Sequence, residues 1–180
     1  MSEEIDVLKQ VTAILEKMNV PYIISGSIAA NYYSIPRMTR DIDIVIELKR
    51  PVLKNFVEKF KREFFLDEDV IQREMENLGM FNLIHREYVI KIDFILHKQS
   101  AFQKSTFLRR KKIIIEDHPM CLISLEDIVL SKLLWSKESL SEMQLNDVRN
   151  LIKTNPRLDK IYLEDWIKKL GLEENFKLVK

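Results

Sequence analysis

The pattern of apolar and polar positions predicts that helices and strands alternate along the first half of the chain. Apolar residues recur at helical spacing over residues 4–18, and a proline shortly afterwards ends that helix. A short buried strand then stops at Gly26, a helix begins at Ser27, and a second strand runs over 41–48. Pro51 opens a further helix, because proline suits the first helical turn.

Residues 80–96 change to a period of two, which predicts a hairpin that turns near Arg86 and Glu87. The remaining elements expected, in chain order, are a helix at 101–112, a short strand at 120–124 and helices at 124–139, 141–153 and 159–171. We therefore expect an α/β (α+β) fold. A small mixed sheet with flanking helices occupies residues 1–120, and a helical extension, residues 121–180, packs on it.

Composition narrows the class of protein. The 180 residues are 46% hydrophobic and 32% charged, as in a globular domain, and the net charge of +1 argues against a general nucleic-acid binder. The basic run at 108–112 is interpreted as the solvated end of a helix, with a local binding patch as the alternative. Cys121 is the only cysteine, so no disulfide forms within the chain. No run of about 18 apolar residues and no signal peptide is present, so we expect a cytoplasmic protein without a membrane span.

Two aspartates interrupt the apolar strand at 41–48. Side chains alternate along a strand, so Asp41 and Asp43 share one face about 7 Å apart, opposite a row of isoleucines. At an effective dielectric of about 20 their charges repel by about 2 kcal/mol, which either water or a bound cation must offset. Asp93 interrupts the second arm of the hairpin in the same way.

A glycine and a serine lie where the first strand meets its helix. Gly26 lacks a Cβ and allows close approach to the backbone, and the helix that starts at Ser27 presents free N–H groups to an anion. If this corner lies beside the aspartates, a phosphate site adjoins a metal site. Phosphoryl and nucleotidyl transfer use Mg²⁺ held by carboxylates, often as two ions about 4 Å apart.

These residues together resemble the polymerase-beta-type nucleotidyltransferase superfamily. The resemblance consists of "GS", thirteen intervening residues, "DIDIVI" and a later aspartate in "VIKIDFIL". It implies metal-dependent transfer of a nucleoside monophosphate from a nucleoside triphosphate to a hydroxyl, with release of pyrophosphate. It also implies that Gly26 and Ser27 contact the triphosphate, that Asp41, Asp43 and Asp93 hold two Mg²⁺ ions, and that Asp93 helps to take the acceptor's proton.

The segments "RMTRDIDI" and "SLEDIVLSKLLW" are similar to the AbiEii-like bacterial branch of that superfamily. In that branch a helical lysine, here Lys132, and a later helical aspartate, here Asp147, complete the site, and a cognate toxin or antitoxin partner is a candidate. An additional charged residue is usual just before the aspartate and is missing from "MQLNDV". We therefore interpret Asp147 as structural.

Other residues have two interpretations each. Arg37 and Arg40 are candidates for binding phosphate or acceptor, or are ordinary loop residues, and Lys132 is either a nucleotide ligand or a solvated helical lysine. The tryptophans are expected to pack the helical extension. Tyr32 is expected to pack in the core, with stacking on a base as the alternative.

Rival functions differ in chemistry. A nucleotide-binding regulator or antitoxin-type partner would keep the fold and lack catalysis, although the presence of all three acids argues against it. Haloacid-type phosphatases and glycosyltransferases also use Asp-x-Asp, but there the motif ends a strand, whereas here it begins one. The acceptor stays open between a small molecule such as an antibiotic, a tRNA 3′ end and a protein side chain.

Overall fold

The computed structural model of the chain describes residues 3–39, 41–139 and 141–179. The helices in these ranges are α1 (Glu3–Lys17), α2 (Gly26–Tyr33), α3 (Arg50–Phe60), α4 (Glu68–Asn77), α5 (Ala101–Arg109), α6 (Leu125–Ser139), α7 (Glu142–Thr154), α8 (Lys160–Leu170) and α9 (Glu173–Lys177). The strands are β1 (Tyr22–Ile24), β2 (Asp41–Ile46), β3 (Phe64–Phe65), β4 (Met80–His85), β5 (Lys91–Leu96), β6 (Lys111–Ile115) and β7 (His118–Leu122).

One mixed sheet contains these strands in the order β3-β4-β5-β2-β1-β7-β6. Strand β2 pairs in parallel with β5, and β1 pairs in parallel with β7, while the other neighbours are antiparallel. This confirms the expected α/β (α+β) class with a mixed sheet. The hairpin of β4 and β5 is also confirmed, with its turn at residues 86–88.

The two faces of the central strands differ sharply. On one face, Ile42, Ile44 and Ile46 are fully buried, and Phe94 of β5 continues this apolar surface. The Phe56 ring of α3 lies 5.6 Å from the Phe94 ring, centroid to centroid, in an edge-on contact. Because the isoleucines alternate with aspartates, burial of this face fixes the register and forces both β2 aspartates onto the opposite face.

The structure corrects the prediction between residues 101 and 115. The helix expected over 101–112 ends at Arg109, and Lys111 begins the edge strand β6. The basic run is therefore divided between a helix end and a strand, and does not form one solvated helix end. Lysines suit an edge strand because they discourage pairing with another chain.

Helix α4 was not predicted. Its sequence is strongly polar, with only Ile71 buried, so apolar periodicity does not reveal it. The Asp67 side chain caps its first turn by accepting a hydrogen bond from the Val70 N–H at 3.1 Å. The Asp67 cap begins this helix, and Leu78, whose backbone adopts the left-handed conformation, ends it. The helix is therefore determined more by its caps than by burial.

The C-terminal helices pack directly against α2 and the sheet. The Tyr33 hydroxyl donates to the Ile123 carbonyl at 2.8 Å, and the Asn155 amide donates to the Tyr33 carbonyl at 2.8 Å. The division of the chain near residue 120 stays a prediction. Across the residues that the structure describes, no helix is both long and apolar enough to cross a membrane.

Candidate active site

Asp43 and Asp93 lie side by side on neighbouring strands. The parallel register of β2 and β5 pairs Asp43 with Asp93 and Asp41 with Lys91. Strands in a sheet are about 4.8 Å apart, so paired side chains on one face are direct neighbours. The sequence prediction that these aspartates converge is therefore correct for Asp43 and Asp93.

Asp93 is buried and only partly paired. One of its carboxylate oxygens, Oδ2, accepts from the Lys91 ammonium at 2.8 Å, while the other, Oδ1, is buried and has no hydrogen-bond partner. A buried carboxylate oxygen without a partner is costly, and such an oxygen is suited to a cation or a donor that enters the site. Lys91 was not among the predicted site residues, although it lies two residues before Asp93 and therefore on the same face of the strand.

The Asp43 carboxylate packs closely against Gly26, at the start of α2. A Cβ added to Gly26 would lie 1.8 Å from the Asp43 Oδ2 atom, and Gly26 has a φ of +61°, so this position requires glycine. The Ser27 N–H donates to the Asp43 carboxylate, which lowers the pKa of that group. Burial and the neighbouring Asp93 charge outweigh this, and the pKa of Asp43 is raised above its ordinary value.

Arg37 connects the corner to the C-terminal helices. Its guanidinium donates to both Asp147 carboxylate oxygens, each at 3.0 Å, and to the Ser27 hydroxyl at 2.7 Å. Asn31 of α2 exchanges two hydrogen bonds with the Arg37 backbone, which fixes the loop that carries it. Arg40 lies outside the described residues.

Lys132 of α6 also contacts Asp147. Its ammonium donates to Asp147 at 2.7 Å and to Gln144 at 2.9 Å, and the residue is only 3% exposed. Burial lowers the pKa of Lys132, and the hydrogen bond to Asp147 opposes that effect. Lys132 is thus buried and paired, and is not a solvated helical lysine.

A small cavity of about 110 Å³ lies between Asp43 and Lys132. Its walls include Gly26, Ser27, Asp43, Lys132 and Gln144. Helix α2 begins there, and its N-cap, the Ser25 side chain, makes no capping hydrogen bond. We call this cavity the phosphate corner, because a helix N-terminus and a nearby ammonium suit a phosphate group.

The donor chemistry of Asp43 and Asp93 fits a hard divalent cation, since carboxylate oxygens are its preferred ligands and one of them is unpartnered. As the side chains stand, however, no group of three or more His, Cys, Asp or Glu residues in 3–39, 41–139 and 141–179 could hold a metal ion. Asp41 is exposed at the start of β2. The site of three aspartates with two Mg²⁺ ions stays a prediction.

The sequence indicated a structural role for Asp147, and that role stays a prediction; its carboxylate lies between Arg37 and Lys132 and accepts hydrogen bonds from both. Trp135 was expected to pack the helical extension, yet it is 51% exposed and lines the phosphate corner. Its spacing of three residues from Lys132 on a helix is the sequence feature that could have placed it there.

Neither a protein-family model nor a curated protein matches the sequence. Solved structures do match. An antigenic nucleotidyltransferase-like protein from Paracoccidioides brasiliensis is 18% identical, with a TM-score of 0.58 over 96% of this chain and 91% of the other. The lincosamide antibiotic adenylyltransferase LnuA, lincomycin-bound, is 18% identical, with a TM-score of 0.56 over 84% and 96%. The enzyme ANT(2″)-Ia, in complex with adenylyl-2″-tobramycin, is 13% identical, with a TM-score of 0.54 over 97% and 99%.

The likeness extends over most of each chain, so it concerns the whole architecture and not one motif. At these identities it establishes the fold. The chain therefore has the fold of the polymerase-beta-type nucleotidyltransferases, as the sequence pattern predicted. The AbiEii-like branch stays a prediction.

Proposed function

We propose that this chain, which has the nucleotidyltransferase fold, is a metal-dependent nucleotidyltransferase. It moves a nucleoside monophosphate from a nucleoside triphosphate to a hydroxyl acceptor and releases pyrophosphate. The observation that carries the proposal is the pairing of Asp43 with Asp93 beside the Gly26–Ser27 corner.

The residues of the corner would bind the triphosphate. The N-terminus of α2 favours an anion, Lys132 lines the cavity, and Arg37 donates to the hydroxyl of Ser27, which lines it too. In the reaction, the acceptor oxygen forms a bond to the α-phosphorus, and the bond from that phosphorus to the β-phosphate bridging oxygen breaks. Asp93, with its unpartnered oxygen, is placed to accept the proton of the acceptor hydroxyl.

Asp43 and Asp93, with Asp41 at the start of the same strand, would hold Mg²⁺, and two ions are the number that this chemistry favours. Bound there, the metal would neutralise the charge that develops on the phosphate oxygens. Lys91 would have to leave Asp93, and its 40% exposed side chain has room to do so.

The acceptor is not determined by these residues. LnuA is described as a lincosamide adenylyltransferase, and ANT(2″)-Ia was solved with an adenylylated tobramycin. A small-molecule hydroxyl is therefore the first acceptor to test for this chain, followed by a tRNA 3′ end and a protein side chain. A cognate toxin or antitoxin partner belongs to the AbiEii-like hypothesis.

The test is transfer of label. The pure protein is incubated with Mg²⁺, a cell extract and each nucleoside triphosphate labelled at the α-phosphate, and the extract is fractionated. We expect one fraction to take up label with the wild type and none with Asp43→Ala, which keeps its fold because it removes a repelling charge. Glu47→Ala, a change of another acid just after β2, is the matched control and should still label.

Two results would contradict the proposal. Equal labelling by Asp43→Ala and the wild type would remove Asp43 from the chemistry. Tight nucleotide binding with no labelled product in any fraction would favour the non-catalytic regulator or antitoxin-type partner.

A further inference from the structure

The face of the sheet that carries Asp43 and Asp93 becomes apolar farther along the strands. Val45 and Ile95 are the next residues on that face, and they are register partners. Ile23 of β1 pairs with Val45 and extends the apolar surface. Val45 and Ile95 are only partly buried, so the helices above do not cover this part of the sheet completely.

Helices α5, α6 and α8 enclose a cavity of about 680 Å³ over this surface. We call it the aromatic cavity, because four aromatic side chains line it: Phe102, Phe107, Trp135 and Trp166. Trp166 makes an edge-on contact with Phe102, with ring centroids 5.3 Å apart, and so is held in place. Trp135 is 51% exposed, which is unusual for so large an apolar ring without a ligand.

The aromatic cavity adjoins the phosphate corner. Ser25, Ile95, Ser131 and Trp135 line both. Trp135 follows Lys132 by three residues on α6, so the indole and the ammonium project from one face of the helix. The phosphate corner is small, about 110 Å³, so a nucleoside attached to phosphate groups bound there would extend beyond it.

We infer that the aromatic cavity receives the nucleobase of the donor nucleotide and that the Trp135 indole is its stacking surface. The inference rests on the proposed function, because it assumes that the triphosphate binds in the phosphate corner. Stacking on an aromatic side chain accepts every base, because each base has a π face.

The polar side chains of the cavity are mostly engaged with the protein. The Thr106 hydroxyl donates to the Phe102 carbonyl, and the Gln103 side-chain oxygen accepts from the Lys98 N–H. The Lys169 ammonium pairs with Asp165 at 2.6 Å. We therefore expect the larger purines to bind better than pyrimidines, with little discrimination between adenine and guanine.

Tryptophan fluorescence tests this directly, because the chain has two tryptophans and both line the aromatic cavity. A non-hydrolysable purine nucleoside triphosphate with Mg²⁺ should change the emission. Inorganic tripolyphosphate, which carries no base, should compete with the nucleotide and leave the emission almost unchanged. In Trp166→Phe the change should persist, since Trp135 then reports alone.

Substitution of Trp135 gives the second readout. Trp135→Ala should weaken binding of the nucleotide about 10-fold and leave the affinity for tripolyphosphate unchanged, whereas Trp135→Phe should recover most of the loss. Tyr32→Ala is the matched control, because Tyr32 is also 51% exposed but lines a different cavity. It should bind nucleotide as the wild type does.

The outcomes separate this inference from the proposed function. If nucleotide is bound or transferred while the emission and the Trp135→Ala affinity stay unchanged, the base lies elsewhere and only this inference fails. Quenching by an acceptor and not by the nucleotide would also overturn it and make the aromatic cavity an acceptor site. If no nucleotide binds or reacts at all, the proposed function fails and this inference fails with it.

Discussion

Replacing Asp147 by asparagine should destabilise the protein strongly, because the change leaves a buried ammonium with an incomplete set of partners. The Asp147 carboxylate accepts hydrogen bonds from Arg37 at 3.0 Å and from Lys132 at 2.7 Å. The Lys132 side chain is 4% exposed and would keep only neutral oxygen partners such as Gln144. The Arg37 side chain is 32% exposed and would be solvated at little cost.

Breaking a buried ion pair by removing one partner costs about 3–5 kcal/mol. In the variant, Arg37 is still solvated by water and Lys132 still donates to Gln144. We therefore expect the lower end of this range, a loss of about 3 kcal/mol in the free energy of unfolding. Urea denaturation at neutral pH measures this. Adding Lys132→Met to Asp147→Asn removes the unpaired ammonium and should restore at least about 1 kcal/mol. A loss below about 0.5 kcal/mol, or no recovery in the double variant, would refute the reasoning.

The ion pairs of Asp147 with Arg37 and Lys132 also predict how the stability of the protein depends on pH. Burial alone would raise the pKa of Asp147, but the hydrogen bonds from Arg37 and Lys132 prevail and hold it below its ordinary value of 3.8. A carboxylate whose folded pKa is lowered stabilises the fold above its unfolded pKa and loses that effect as the pH falls through the folded value. The stability difference between wild type and Asp147→Asn should therefore be constant near neutral pH and shrink below about pH 4. A difference that grows on acidification would contradict this.

Two further substitutions test the positions of single atoms. Gly26→Ala should abolish nucleotide transfer and lower stability, because its Cβ would lie 1.8 Å from an Asp43 carboxylate oxygen, whereas Gly79→Ala meets only the end of a flexible side chain and should be tolerated. Wild-type transfer by Gly26→Ala would show that the close packing is not required. Tyr162→Phe should cost about 1–3 kcal/mol in urea denaturation, because the Tyr162 hydroxyl donates at 2.7 Å to Asp127, which is fully buried. An unchanged free energy of unfolding would mean that another donor replaces the hydroxyl.

The sequence predicted those parts of the fold that local patterns determine. The alternation of isoleucine and aspartate in β2 defines a strand and its faces, whereas the expectation that Asp93 lies beside Asp43 came from the resemblance to the nucleotidyltransferases. The hairpin of β4 and β5 was equally clear from period two. Helix α4 was missed because its polar sequence gives no apolar periodicity, and it is defined by its caps.

The contacts within the candidate site were predictable only between residues on strands, although Gly26, Ser27, Arg37 and Lys132 were each named as candidates. Arg37 and Asp147 are 110 positions apart, and no local pattern shows that they form an ion pair. The exposure of Trp135 depends on how α6, α5 and α8 pack, which single-helix periodicity does not determine. Alternation put Lys91 on the face of Asp93, but its ion pair with Asp93 was not predicted.

The most direct test of the central claim is anomalous diffraction from crystals soaked with Mn²⁺ and a non-hydrolysable nucleoside triphosphate. We predict a manganese peak in contact with both Asp43 and Asp93, the Lys91 ammonium withdrawn from Asp93, and the triphosphate at the Gly26–Ser27 corner. A nucleotide bound elsewhere, or one bound at the corner while the Lys91–Asp93 ion pair stays intact and no manganese lies between the carboxylates, would contradict the account.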